Sequence, residues 1–390
     1  MSLLQNYAAA PVTFVRGEGC ELIDAEGTRY LDLIGGIAVC ALGHAHPEIA
    51  EAVAEQARTL VHASNLFGHV PAAMLAAELA TRSGLQRAFF CNSGTEANEA
   101  AIKLARKVAH RKGEPGRKTI LSCSGSFHGR TLGALAATAN AAYHEGFDPL
   151  PLGFAVTPFN DLAALERALD SRVAALMVEP VQGESGVNCA TVEFLAEARR
   201  LCTERGALLV FDEIQCGMGR IGPTFAFQHF GVVPDLLTMA KALANGLPIG
   251  AMLVAEKYAD GLRPGDHGST FGGSPVPCAA ALAHLRIRDR IGLEAHVREM
   301  GALLRTGLQR LGDRHPDIFE RPRGLGLLLG LPVRAPYDAA AIVEAARARR
   351  VLLNKAGNNT LRFAPPLIIE AAQIQRALDG VESAAFAIAG

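Results

Sequence analysis

The chain has 390 residues, of which 49% are hydrophobic and 6% aromatic, and its 38 basic and 39 acidic residues leave a formal net charge of −1. A near-neutral chain lacks the positive surface that nucleic acid or an anionic membrane would require. No apolar run reaches the roughly 18 residues of a transmembrane helix, and Met1–Ala10 lacks the pattern of a signal peptide. The apolar content excludes disorder for most of the chain, and the length predicts two or three domains at about 100–200 residues each.

The first 43 residues predict extended segments and turns, and a helix follows over residues 47–60, with Pro47 near its first turn. Beyond it, short apolar runs alternate with helical or turn segments, including a helix over 96–110. The predicted buried strands are 87–91, 119–122, 174–178, 207–211 and 250–255. This alternation predicts an α/β fold whose mostly parallel sheet is covered by helices on both faces.

After about residue 274 the sequence becomes helix-rich, and we place a domain boundary near residue 275. Predicted helices cover 278–287, 293–311, 338–350 and the carboxyl end, with extended segments over 324–331 and 361–364. The eight cysteines are scattered singly and form no C-x-x-C pair. This pattern predicts reduced core thiols in a cytoplasmic protein, and no metal site.

The segment 92–98 (Asn-Ser-Gly-Thr-Glu-Ala-Asn) ends a buried strand and starts a helix. Backbone N–H groups at such a helix start, together with Gly94 and the Thr95 hydroxyl, can bind an anion such as a phosphate. The alternative is a plain helix cap, with Ser93 or Thr95 as the capping residue and Glu96 in the first turn.

Two acids, Asp212 and Glu213, follow the apolar strand 207–211, where open α/β sheets place their ligands. A buried carboxylate there needs a cationic partner, unless it merely caps a helix. Lys241 follows an apolar run, and no other charge occurs between residues 240 and 248. Such a lysine has a lowered pKa and can form a Schiff base with a carbonyl, although a lone lysine is more often a surface residue.

A glycine-flanked loop carries Phe127, His128 and Arg130 together. The aromatic ring could stack on a planar cofactor, and the guanidinium could bind a carboxylate through two hydrogen bonds. Taken singly, Phe127 would be a core residue and His128 a local hydrogen-bonding residue. The cluster 267–273 could add donors to a phosphate or form a turn, and Arg362 lies on a short strand before Pro365.

A phosphate-binding helix start, a stacking ring, an acid, a lysine and arginines are together what pyridoxal 5′-phosphate chemistry requires. On these residues the chain resembles the class III pyridoxal-phosphate-dependent aminotransferases of fold type I, and within them the acetylornithine aminotransferases. The resemblance extends from residues 11–17 to 361–367. Its motifs, in order, are 92–98, 127–131, 179–184, 212–215, Lys241 and 268–273.

The resemblance implies a large cofactor domain over residues 51–275, with a seven-stranded, mostly parallel sheet, and a smaller α+β domain built from 1–50 and 276–390. It implies that Lys241 holds the cofactor and moves a proton, and that Asp212 pairs with the ring nitrogen. The remaining cofactor contacts that it implies are Gln215 at the phenolic oxygen side, Phe127 on the ring, Gly94 and Thr95 at the phosphate, and Thr270 at the phosphate of a second subunit. The expected assembly is therefore a homodimer with active sites at the interface.

The resemblance also implies that Arg130, assisted by Ser269, binds a substrate carboxylate. Arg362, masked by Glu184, would be exposed only for glutamate. Ornithine aminotransferases usually carry a tyrosine where this chain has Ile37, and an apolar residue suits an acylated amine better than a buried ammonium. The implied reaction, in arginine biosynthesis, moves the terminal amino group of acetylornithine to 2-oxoglutarate. Ser185 departs from the glycine that the family often has there, which leaves the acyl preference open.

Ornithine, succinyl-diaminopimelate and 4-aminobutyrate aminotransferases are alternative functions, and the same fold carries decarboxylases and aminomutases. A different class is suggested by the G-x-G-x-x-G at 217–222, which is typical of NAD-dependent oxidoreductases. An aromatic run follows this motif instead of a clean helix, and no acid-terminated strand lies at the required distance. We therefore reject the oxidoreductase. A serine hydrolase is also disfavoured, because the chain has no G-x-S-x-G.

Overall fold

The computed structural model describes residues 4, 6, 7 and 12–389. Most of Met1–Ala10, for which the sequence predicts no signal peptide, lies outside the described residues, as does Pro11 at the start of the family-like stretch. None of the helices in the described part is long and apolar enough to cross a membrane.

Seventeen strands occur in the described part of the chain. They are β1 Phe14–Glu18, β2 Glu21–Asp24, β3 Arg29–Asp32, β4 Arg87–Cys91, β5 Thr119–Cys123, β6 Phe154–Thr157, β7 Val173–Val178, β8 Val181–Gln182, β9 Asn188–Cys189, β10 Leu208–Asp212, β11 Leu236–Met239, β12 Gly250–Val254, β13 Arg323–Leu325, β14 Leu328–Pro332, β15 Val351–Leu352, β16 Asn354–Ala356 and β17 Thr360–Phe363.

The central sheet has seven strands in the order β4-β12-β11-β10-β7-β5-β6. Only β12 runs antiparallel to its neighbours, and the strands from β11 to β6 are parallel. Every residue of β7 and β10 is buried, which is why these strands read as continuous apolar runs. The prediction of an α/β fold with a mostly parallel seven-stranded sheet is confirmed.

The helices cover both faces of this sheet and build much of the remaining chain. They span Pro47–Thr59, Val70–Ser83, Gly94–Arg111, Leu132–Ala137, Leu162–Ala168, Val192–Arg205, Ala226–Phe230, Pro275–Arg290, Leu293–Arg314, Ala339–Ala348 and Ala371–Ala389, with short 3₁₀ turns at Ala141–Tyr143, Lys241–Ala244 and Glu256–Tyr258. The helix Val70–Ser83 is not among the predicted helices, although Pro71 in its first turn and a left-handed Gly84 after its end are ordinary helix signals.

The two ends of the chain meet in smaller sheets. The order β1-β2-β3-β15 joins three amino-terminal strands to Val351–Leu352, and β13-β14-β17-β16 forms a second four-stranded sheet. The parallel pairing of β15 with β3 supports a smaller domain made from both chain ends. The bounds 1–50, 51–275 and 276–390 stay a prediction.

A left-handed turn occupies Gly35–Ala38, where four consecutive residues have φ values of 55°, 65°, 65° and 62°. Such a conformation costs roughly 1–2 kcal/mol for each non-glycine residue, here Ile37 and Ala38. Asp32 holds the start of the turn, because its Oδ1 accepts the N–H of Ile34 at 2.8 Å and of Gly35 at 2.9 Å. The turn leads directly to Val39 in the wall of the main cavity.

Candidate active site

A cavity of about 410 Å³ opens at the carboxyl ends of the parallel strands. Its walls come from segments far apart in the chain, namely Val39, residues 92–95, 127–130, Glu179, Asp212, Ile214, Gln215, Ala240, Lys241 and 246–249. The volume lies within the range of about 300–1,000 Å³ that small-molecule sites have. The fold therefore brings most of the candidate residues to one place.

Asp212 is held by a buried network at the end of β10. Its Oδ2 accepts hydrogen bonds from Asn98 Nδ2 at 2.7 Å and from His128 Nδ1 at 2.8 Å, and its Oδ1 accepts the N–H of Ile214 at 3.1 Å. Thr238 in β11 donates to Asn98 Oδ1 at 2.7 Å and so fixes the amide. The carboxylate is 3% exposed, and its orientation is set by three elements at once.

The helix Gly94–Arg111 begins at the cavity. Ser93 is its N-cap residue and accepts the N–H of Glu96 at 3.3 Å, which confirms the predicted cap. Gly94 and Thr95 belong to the first turn, whose N–H groups have no acceptor within the helix. Together with the helix dipole, these groups make the cavity wall favourable for an anion.

Phe127 and Arg130 line the cavity from the loop after β5. The Arg130 guanidinium lies over the ring of Tyr143, at 3.8 Å from its centroid, and 5.6 Å from that of Phe127. Within residues 12–389 its side chain forms no hydrogen bond or ion pair. Arg130 is thus an exposed cation, oriented by aromatic rings, that can donate hydrogen bonds to a carboxylate.

Lys241 follows β11 and has a left-handed backbone, with φ of 38°. This conformation is a strain of about 1–3 kcal/mol that structures keep mostly at functional sites. Burial lowers the pKa of the Lys241 amine, against the opposing charges of Glu184 and Asp212. The Lys241 amine therefore loses its proton more readily than a surface lysine does, and the neutral amine is the nucleophilic form.

Glu184 and Arg362 form the predicted ion pair, with 2.6 Å between Glu184 Oε1 and Arg362 Nη1. Gln215 bridges the two, because its Nε2 donates to Glu184 at 3.0 Å and its Oε1 accepts from Arg362 at 3.1 Å. Burial alone would raise the pKa of Glu184, but the charge and hydrogen bond of Arg362 outweigh it and leave the pKa lowered. The contact predicted for Gln215, the phenolic oxygen side of a cofactor, stays a prediction.

Glu179 is a cavity residue to which the sequence analysis assigned no role. It follows β7, is 5% exposed, and its Oε2 accepts the N–H of Phe127 at 3.0 Å. Burial first, and then the charge of Asp212, raise its pKa well above the ordinary value. In the sequence, Glu179 directly follows the apolar run 174–178. An acid at the carboxyl end of a predicted parallel strand is a signal by which it could have been identified.

Five predicted site residues are not in the walls of this cavity within one chain. Glu184 and Arg362 form their ion pair beside it and are joined to it by Gln215, whereas Ser269, Thr270 and Ile37 lie elsewhere. Ser269 Oγ instead accepts from Asn92 Nδ2 at 3.2 Å, while Thr270 is exposed and Ile37 is 43% exposed. Val39, two residues after Ile37, occupies the cavity wall. The roles predicted for Ser269, Thr270 and Ile37 remain predictions. Thr270 and Ile37 do not reach the cavity of their own chain, so their predicted roles would require contact with a second subunit.

The structure also places the G-x-G-x-x-G motif and the eight cysteines. In the motif at 217–222, Arg220 is fully buried and donates to the carbonyl oxygens of Leu327 at 3.1 Å and Pro365 at 2.5 Å. All eight cysteines, which lie within the described part, have free thiols. Among residues 4, 6, 7 and 12–389, no group of three or more His, Cys, Asp or Glu side chains is placed to hold a metal ion.

Comparison with known proteins places these observations in a family. The model of the aminotransferase class-III family matches residues 4–385. The acetylornithine aminotransferase of Myxococcus xanthus is 50% identical over 94% of this chain and 91% of its own, and that of Thermosynechococcus vestitus is 46% identical over 98% and 94%.

Solved structures match over almost the whole chain as well. The ornithine aminotransferase of Toxoplasma gondii has a TM-score of 0.95 at 33% identity, covering 100% of this chain and 93% of its own. The N-acetylornithine aminotransferase of Stenotrophomonas maltophilia has a TM-score of 0.86 at 39% identity, covering 97% and 96%.

Proposed function

This chain belongs to the class-III aminotransferases, and on that premise we propose the reaction that it catalyses. It transfers the terminal amino group of N2-acetyl-L-ornithine to 2-oxoglutarate, giving N-acetylglutamate 5-semialdehyde and L-glutamate, a step of arginine biosynthesis. The observation that carries this assignment is the near full-length identity of 45–50% to several acetylornithine aminotransferases. The geometry of the cavity supports it independently, as follows.

The cavity residues fit pyridoxal 5′-phosphate, the cofactor of this chain. Gly94 and Thr95 offer N–H groups to its phosphate, and a side chain at position 94 would come within 2.7 Å of Ile214, so the wall there must be backbone. Asp212 offers a fixed carboxylate to the ring nitrogen, and Lys241 offers an amine. When bound, the cofactor supplies an aldehyde carbon that carries the amino group between the two substrates, and a ring that withdraws electrons from it.

The chain itself supplies binding, orientation and proton movement. Lys241 Nζ, whose pKa burial has lowered, would remove the proton from the amine-bearing carbon of the substrate and deliver it to the cofactor carbon bonded to the transferred nitrogen. Asp212 keeps the ring nitrogen protonated, and it can do so because Asn98 and His128 prevent it from turning away. Phe127 covers the ring, and its loop carries Arg130.

Two arginines allow one cavity to accept two different substrates. Arg130 is free to bind the distant carboxylate of acetylornithine, while Arg362 stays neutralised by Glu184. Glutamate and 2-oxoglutarate carry a carboxylate next to the reacting carbon, and we propose that it takes the place of Glu184 on Arg362. Glu184 is the partner that moves, because its side chain is 28% exposed whereas that of Arg362 is 2% exposed.

Ornithine aminotransferase is the second candidate, and the TM-score of 0.95 to the Toxoplasma gondii ornithine aminotransferase favours it. The higher identity to acetylornithine aminotransferases argues for the acylated substrate. Initial rates with 2-oxoglutarate and each of acetylornithine, ornithine, succinylornithine and 4-aminobutyrate separate the two functions. The proposal requires the highest kcat/KM with acetylornithine, and a higher value with free ornithine would refute it.

We propose that the working unit is a homodimer in the cytoplasm. Exposed apolar side chains gather beside Thr270, with Leu66 86%, Phe67 71% and Phe271 60% exposed, which favours a surface covered by a second copy. Asn65 joins the segment of Leu66 and Phe67 to the loop of Thr270, because its Nδ2 donates to the carbonyl oxygens of Ser269 at 2.9 Å and Gly272 at 3.1 Å. Light scattering at micromolar concentration tests the assembly, and a monomer with full activity would contradict it.

A further inference from the structure

Three acids line or border the cavity, and they differ in what neutralises them. Asp212 accepts three hydrogen bonds, one of them from His128. Glu184 accepts from the Arg362 guanidinium and from the Gln215 amide. Glu179 has a single donor, the N–H of Phe127. Among the described residues, Glu179 forms no ion pair, and its Oε1 has no hydrogen-bond partner.

The strand register brings Glu179 close to a like charge. β7 and β10 are parallel neighbours, and Val178 is paired with Phe211. The next residues on the two strands are Glu179 and Asp212, which therefore leave the sheet side by side. Two carboxylates at one buried place cannot both ionise without a large cost, so the one with fewer donors takes up the proton.

The other charged groups around Glu179 do not remove this imbalance. Lys241 and Glu184 face it from two further elements with opposite signs, and the amine of Lys241 is itself easier to deprotonate because it is buried. The thiols of Cys123 and Cys216 also lie near, and their pKa values are raised, mainly by burial. In agreement with this geometry, burial and Asp212 raise the pKa of Glu179 well above the ordinary value.

We propose that Glu179 is a neutral carboxylic acid that fixes the Phe127 backbone through Oε2 and presents an O–H group on Oε1 to the cavity. There it donates a hydrogen bond to the bound cofactor or substrate, a role that an ionised carboxylate cannot fill. The same residue therefore positions the loop of Phe127, His128 and Arg130 and adds a donor to the site. This inference rests on the cavity being the cofactor site of the proposed function.

Infrared difference spectroscopy tests the protonation state without measuring turnover. At neutral pH, the spectrum of holoenzyme minus cofactor-free protein should contain a carboxylic C=O band that shifts in D₂O and is absent from Glu179→Gln. Glu213→Gln is the matched control, since Glu213 is also buried and burial raises its pKa to about 8, but it lies outside the cavity. The Glu213→Gln difference spectrum should keep the band. A wild-type spectrum without it, or an unchanged spectrum in Glu179→Gln, would overturn the proposal.

Two substitutions test the donor role. Glu179→Gln keeps one donor and one acceptor and should lose less kcat/KM and cofactor affinity than Glu179→Leu, which should lose roughly tenfold to a hundredfold in both, as expected for one hydrogen bond to a charged group. Cofactor affinity of the wild type should fall as the pH rises through the Glu179 pKa, and Glu179→Gln should lack this fall. Equal behaviour of the two variants, or an unchanged pH profile, would refute the donor role.

The outcome is separable from that of the proposed reaction. If acetylornithine is not a substrate but the infrared band and the pH dependence of cofactor binding are found, only the proposed function fails. If acetylornithine is transaminated but the band is missing, only the role of Glu179 fails.

Discussion

The substitution Glu184→Gln examines the two-substrate arrangement, because it removes the negative charge that neutralises Arg362 and leaves the side-chain shape nearly unchanged. The ion pair is short, at 2.6 Å, and the arginine is 2% exposed. Removing one partner of a buried ion pair costs about 3–5 kcal/mol of unfolding free energy.

The lower end of that range applies here. Arg362 keeps the carbonyl oxygen of Gly183 and Gln215 Oε1 as acceptors, each at 3.1 Å, and the new amide can offer its own oxygen. We therefore expect a loss of about 3 kcal/mol in the cofactor-free protein, measured by urea unfolding. In the glutamate half-reaction the same change is favourable, since the entering carboxylate meets an arginine that nothing masks. A gain of about 1.4 kcal/mol, less than half of that loss, already raises kcat/KM tenfold.

The pH dependence has a definite sign. The pKa of Glu184 is lowered in the folded chain, so its contribution to stability is present above the unfolded pKa of about 4.3 and is lost as the pH falls through the folded value. The wild type should therefore lose more stability than Glu184→Gln on acidification below about pH 4.3.

Glu197→Gln is the matched control. Glu197 lies 2.6 Å from Arg200 and is 27% exposed, almost the same values as for Glu184, but its arginine is 53% exposed. Solvent and salt screen an exposed pair, so this variant should change neither the stability nor the half-reactions appreciably. Stopped-flow single turnovers with glutamate and with acetylornithine provide the assay. Unchanged rates of both half-reactions in Glu184→Gln, or equal stability losses in the two variants, would show that Glu184 does not mask a buried Arg362.

Two further substitutions address the scaffold of the site. Asn98→Ala removes a hydrogen-bond donor to Asp212 that is 0% exposed. It should cost about 1–3 kcal/mol of unfolding free energy, measured by urea unfolding, and weaken cofactor binding, measured by titration. An unchanged cofactor affinity would contradict the positioning role of Asn98. Gly35→Ala and Gly19→Ala both place a side chain at φ +55°, but only at position 35 would the new Cβ meet backbone, the carbonyl oxygen of Ala364 at 2.8 Å. Gly19→Ala should lose about 1 kcal/mol from the backbone conformation alone, and Gly35→Ala clearly more, in thermal and urea unfolding; equal losses would show that the contact with Ala364 is unimportant.

The sequence predicted well what local patterns determine. The helix Pro47–Thr59 was predicted over 47–60 and β4 over 87–91, because periodicity, proline placement and buried runs are properties of neighbouring residues. Lys241 and Asp212 were singled out from their own segments, and both line the cavity, although their roles stay predictions. The ion pair of Glu184 with Arg362 was implied by the family resemblance and is present in the structure.

Contacts between distant segments could not be predicted in the same way. Asn98 lies in the motif at 92–98, but its hydrogen bond to Asp212, 114 positions away, depends on the packing of the helix Gly94–Arg111 against the sheet. The position of Glu179 beside Asp212 depends on the register of β7 and β10. The left-handed turn at Gly35–Ala38 includes Ile37, a β-branched residue that rarely adopts this conformation, so local propensity argues against what the surrounding contacts impose.

The central claim is that this chain moves the terminal amino group of acetylornithine to 2-oxoglutarate, with Lys241 as the group that moves the proton. The most direct measurement uses acetylornithine labelled with the heavy isotope of nitrogen in its terminal amine and follows the label by mass spectrometry. The label should appear in glutamate, one atom for each molecule of semialdehyde formed, and Lys241→Ala should abolish the transfer. Glutamate without the label, or transfer at the wild-type rate in Lys241→Ala, would contradict it.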